Sequence, residues 1–137
     1  MVGPIRGLRN YWVACGVMAG FSQGGGVGLA LANWMVHGDP GFDVWAMDLA
    51  RFGDWATMAY TNAKVRENYS RRFSIRFPNE ELTAARPAET TPLYDVMARD
   101  NNAVMGDSWG LETPLWFAPK GTEPKDILSF HRSNDFE

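Results

Sequence analysis

The stretch whose composition could do chemistry is Gly20-Phe21-Ser22-Gln23-Gly24-Gly25-Gly26. A short apolar run, Tyr11-Trp12-Val13-Ala14-Cys15, precedes it and ends at Gly16. A helix-forming run from Val27 to His37 follows and is stopped by Gly38-Asp39-Pro40. Strand, glycine loop and helix start, in that order, build anion and nucleotide sites. Glycines let backbone N–H groups approach a ligand closely, and the first-turn N–H groups of the helix add partial positive charge.

The spacing narrows the choice. A dinucleotide fingerprint requires G-x-G-x-x-G on the first βα turn, with an acid about 20 residues on for the ribose. Gly24, Gly25, Gly26 and Gly28 do not fit it, and Asp43 and Asp48 fall in a connector, not at the end of a second strand. No Gly-Lys-Ser/Thr follows, which excludes a P-loop. Two readings remain open on pattern alone: a turn that serves only close strand–helix packing, or a backbone cradle for an electron-rich ring or an anion. Elsewhere the chemistry is sparse. His37 and His131 lack a Cys or carboxylate at metal-ligand spacing, and His37 is expected to face the dipole at a helix C-terminus. No nucleophile elbow accompanies a Ser-His-Asp set. Glu80, Glu81, Asp95 and Asp100 read as solvated acids. Glu112, set between Gly110 and Pro114 among aromatics, reads as an acid hydrogen-bonded to backbone. The single cysteine, Cys15, ends an apolar run and reads as a buried, inert thiol, which excludes an internal disulfide.

The elements that must position these residues follow from periodicity and punctuation. Val2 to Asn10, with Gly3-Pro4 and Gly7, reads as turn chemistry leading into a buried strand over Tyr11–Cys15. That strand would need upstream neighbours to pair with, and the chain's start and end both read as truncated. Residues 16–26 read as loop. Val27, Leu31, Trp34 and Met35 share one apolar helix face, closed by Gly38 at C′ and Pro40. Asp54 is placed as the cap of a second helix over Trp55–Phe73. Ser74–Phe77 alternates like a strand, and Pro78–Pro92 reads as a linker. A short helix is expected over Pro92–Met97 and a strand over Ala103–Gly106. The 137 residues, 45% apolar, allow a core, so the fold class expected is α+β. A net charge of −3 with no basic run argues against a nucleic-acid partner. No apolar stretch reaches the roughly 18–20 residues that span a bilayer.

From Gly7-Leu8-Arg9-Asn10-Tyr11-Trp12-Val13-Ala14-Cys15-Gly16, through Gly20 to Met35, the chain closely resembles the flavin oxidoreductases that oxidise N-methylated glycines. These are the dimethylglycine and sarcosine dehydrogenases, of the D-amino-acid-oxidase-like fold. The resemblance runs on through Asp48-Leu49-Ala50-Arg51-Phe52-Gly53 and Tyr69, then Phe77-Pro78 and Glu81, to Thr91-Pro92-Leu93-Tyr94. It ends at Gly106-Asp107-Ser108-Trp109-Gly110-Leu111-Glu112-Thr113-Pro114-Leu115-Trp116-Phe117.

The resemblance implies that residues 1–53 are the C-terminal end of an FAD-binding domain, its last strand, flavin-facing loop and closing helix. Residues 54–90 would form a central connecting segment, and 91–137 the start of an aminomethyltransferase-like, folate-binding domain. The implied cofactors are FAD and, in a full-length enzyme, tetrahydrofolate. The implied flavin contacts are Gly16, Ser22, Gln23, Gly24, Gly25, Gly26 and Val27, with Gly25 and Gly26 nearest the ring. The substrate would be a small-molecule amine, with the electron acceptor and the catalytic residues unassigned. The compartment expected is the cytoplasm, or the mitochondrial matrix in a eukaryote. A flavoprotein acting on another amine, and a small non-enzymatic interaction domain rich in aromatics, are the alternatives.

Overall fold

A computed structural model describes residues 1–131. It is α+β, with two compact units, Met1–Asp54 and a second that runs on from Trp55.

In the first unit, β1 (Val2–Pro4) pairs antiparallel with β2 (Trp12–Ala14), Val2 opposite Ala14 and Pro4 opposite Trp12. The strand expected over Tyr11–Cys15 is therefore the shorter β2. Its partner is the segment that had read as turn chemistry. Gly3 (φ +131°) makes this possible, since the indole of Trp34 lies 3.2 Å from where its Cβ would sit. Trp34 in turn meets Trp12 edge-to-face at 6.0 Å between ring centroids, tying β2 to the following helix.

That helix, α1, spans Gly20–His37. The expected loop over 16–26 is thus corrected from Gly20 onward: Gly20 to Gly26 are helical. The Ala19 carbonyl accepts N–H groups from both Ser22 (3.0 Å) and Gln23 (2.9 Å), which opens the ladder. Glycine disfavours a helix by roughly 1 kcal/mol relative to alanine but does not block it, whereas each added residue gains a bond once a nucleus exists. The strong formers between Leu29 and Met35 supply that nucleus. At the other end the expectation holds: Gly38 adopts φ +80° and its N–H bonds the Trp34 carbonyl at 2.9 Å, directly after His37. The core of this unit is thin, with Val2, Val27 and Ala30 buried.

In the second unit, α2 (Met58–Ser70) starts later than expected because Thr57, not Asp54, is its cap: the Thr57 hydroxyl accepts the Tyr60 N–H at 3.2 Å. No strand forms over Ser74–Phe77, and the short helix expected over Pro92–Met97 lies later, as a π-helical turn over Val96–Asp100. A hairpin joins β3 (Ala103–Ser108) to β4 (Leu111–Phe117). Trp109 (φ +56°) and Gly110 (φ +94°) form its two-residue turn, the positive φ pair that matches strand twist. Leu115 falls at a bulge opposite Val104/Met105 and packs on Gly106, where an added Cβ would lie 2.7 Å from its side chain.

Candidate functional site

The seven residues singled out in the sequence do not form one surface. Gly16 lies outside the helix at φ +64°, in the irregular segment after β2. The other six are on α1, where each residue is rotated by about 100° from the one before. Gln23, Gly26 and Val27, with Ala30, recur at i, i+3, i+4 and i+7 and share one face. That face, together with Val2, residues 42–44, Ala46 and Met47, lines a cavity of about 260 Å³. Its walls are almost wholly apolar, and Gln23 and Asp43 are its polar members.

Gly24, Gly25 and Gly28, with Phe21, recur at the same spacing on the opposite face, and Phe21 is fully exposed there. A Cβ built at any of these three glycines meets nothing within 4 Å. Among the described residues no atom requires glycine at those positions, which leaves a smooth strip of accessible backbone. Ser22 turns its hydroxyl back to the Ala19 carbonyl at 3.0 Å. Cys15, expected to be buried, is exposed at the end of β2. β2 is too short to carry it into the core.

The second unit holds polar structure that the sequence did not disclose. Arg86 donates from Nε to Glu112 Oε1 (2.7 Å), and from Nη2 to Glu112 Oε2 (2.7 Å) and the Met105 carbonyl (2.8 Å). Glu112 is thus buried, and its side chain pairs with a cation where a backbone hydrogen bond was expected. Hydrogen bonding to Glu112 drives the Arg86 pKa up and outweighs the opposing effect of burial. Lys64 of α2 pairs with Asp107 at 3.0 Å, and Asp107 also accepts the Gly110 N–H at 2.7 Å, fixing the hairpin turn.

Glu80 and Glu81 are corrected in the same way. Glu80 pairs with Arg71 and accepts the Phe77 N–H, and Glu81 accepts the Asp107 N–H at 3.4 Å and lies 4.0 Å from Arg86. Asp95 is exposed and pairs with Arg99 one turn on. The segment that had read as a linker is therefore wired to α2 and the hairpin. Glu67 accepts N–H groups from Thr83 (3.0 Å) and Ala84 (2.9 Å), and Glu89 exchanges backbone bonds with Gly110 and Glu112. These ion pairs are saturated by each other, so their role is positional. A second hollow, of about 300 Å³, lies among Asn79, Glu81, Leu115, Trp116 and Asp126, with the Trp116 indole N–H donating to Asp126 at 2.9 Å. Among the described residues, no helix is long and apolar enough to cross a membrane.

Residues 37–91 match the family described as the FAD dependent oxidoreductase central domain. Over 137 residues, 99% of this chain, the sequence is 42% identical to a mitochondrial dimethylglycine dehydrogenase of Rattus norvegicus, 16% of whose length it covers. It is 32% identical over 127 residues (90% of this chain, 14% of the relative) to a mitochondrial sarcosine dehydrogenase of Homo sapiens. To the formaldehyde-forming 4-methylaminobutanoate oxidase of Paenarthrobacter nicotinovorans it is 34% identical over 142 residues, 99% of this chain and 17% of that protein. The chain thus spans about 16% of the length of the first of these relatives. By sequence the chain is similar to a stretch of the dimethylglycine and sarcosine dehydrogenases, and its residues 37–91 are similar to the central domain of FAD-dependent oxidoreductases.

Proposed function

We propose that this chain is part of an FAD-dependent dehydrogenase that oxidatively demethylates N-methylated glycines, dimethylglycine or sarcosine, and passes the one-carbon unit to tetrahydrofolate. The observation that carries the reading is the 42% identity to a dimethylglycine dehydrogenase over 99% of the chain. On this reading residues 1–53 end the FAD-binding domain, 54–90 form the connecting segment, and 91–137 begin the aminomethyltransferase-like domain. The central-domain match over 37–91 supports the middle assignment. The mitochondrial relatives support the matrix as the compartment in a eukaryote.

The proposed flavin contacts are Gly16 and the residues from Ser22 to Val27, and α1 supports a revised geometry for them. Gly24 and Gly25 offer open backbone on one face, whereas Gln23, Gly26 and Val27 line the largely apolar cavity on the other, with Gln23 its polar member. A flat ring can meet one face or the other, and the glycine strip is the one that lets backbone come closest. FAD, when bound, supplies the hydride acceptor for amine oxidation. The chain's contribution is close approach and the positive end of α1, which favours negative charge by roughly 0.3–2 kcal/mol.

In the longer protein, Gly25→Val is expected to abolish flavin absorbance or its bleaching by dimethylglycine. Normal absorbance and turnover in that variant would overturn the glycine-face assignment. Failure of the unaltered protein to bind FAD at all would overturn the function itself. The identity to a 4-methylaminobutanoate oxidase favours a second reading, the same flavin chemistry on another secondary amine. A comparison of turnover on sarcosine, dimethylglycine and 4-methylaminobutanoate separates the two.

A further inference from the structure

We draw no further inference here: the strongest candidate, the apolar cavity of about 260 Å³ between β1, the Gln23–Ala30 face of α1 and residues 42–47, shares Gln23, Gly26 and Val27 with the flavin contacts already proposed, and nothing in the structure shows what else fills it.

Discussion

Arg86 and Glu112 meet as a two-pronged ion pair withdrawn from water, with both N–O distances at 2.7 Å and side-chain exposures of 13% and 3%. The pair joins the connecting segment to β4, and the Met105 carbonyl brings in β3 through the same guanidinium. Removing one partner strands the other charge in a poorly hydrated place, which costs about 3–5 kcal/mol, while replacing both with apolar groups of similar volume is far milder. Arg86→Met and Glu112→Leu are each expected to lower the urea midpoint sharply, and the double variant to recover much of the loss. Additive losses in the double variant would show that the two side chains act independently.

The glycine face of α1 yields a prediction with two opposite signs. Gly25 is in a helix interior, and a Cβ there meets nothing within 4 Å. Gly25→Ala is therefore expected to stabilise the 137-residue chain by about 1 kcal/mol, through helix propensity alone. In the longer protein the same substitution is expected to weaken FAD retention, because the methyl group intrudes where the proposed ring approaches. Thermal melting of the chain and equilibrium dialysis of FAD from the longer protein read the two effects separately.

What could be read from the sequence was local. Gly38 announced the end of α1 because a residue at positive φ followed by Pro40 stops a helix without help from elsewhere. The strand at Ala103–Gly106 was visible for the same reason, although β3 runs on to Ser108. Long-range pairing was hidden. Nothing in Gly3-Pro4 reveals that β1 lies against β2, since the room that Gly3 leaves is taken by the indole of Trp34, 31 positions on. The helical start at Gly20 was hidden by composition: glycines usually mark loops, and here an established ladder carries them. Arg86 was missed because it sits in a proline-rich stretch and its partner is 26 residues away. Glu112 among aromatics was the usable signal, since a buried carboxylate requires a cation or several N–H donors.

Gly110 closes the hairpin at φ +94°, and a Cβ there would lie 2.6 Å from the Trp55 indole. Gly110→Ala combines a left-handed backbone penalty of roughly 1–2 kcal/mol with overpacking of roughly 1–3 kcal/mol. The variant is expected to lose about 2–5 kcal/mol in all. Combining it with Trp55→Ala should restore the overpacking part and leave the backbone part, measurable as a coupling energy in a double-mutant cycle. No coupling would place the whole cost in the backbone.

Glu67 gives the chain an acid-sensitive joint. Burial raises its carboxyl pKa, but the N–H groups of Ala84 and Thr83 and the charge of Lys64 together hold it below its ordinary value of 4.5. A folded pKa below the unfolded one means that the unfolded chain binds protons first as pH falls. The contribution of Glu67 to stability is therefore complete above about pH 4.5 and is lost as pH drops below that, through the folded pKa. Because the carboxylate holds residues 83 and 84 against α2, its protonation should loosen the connecting segment. Glu67→Gln keeps an acceptor oxygen but cannot titrate. The stability difference between the unaltered chain and Glu67→Gln is expected to be largest near neutral pH and to shrink as pH falls below 4.5, with amide exchange at Thr83 and Ala84 quickening in parallel in the unaltered chain. A difference that stays constant from neutral pH to pH well below 4.5 would mean that the carboxylate does not carry this joint.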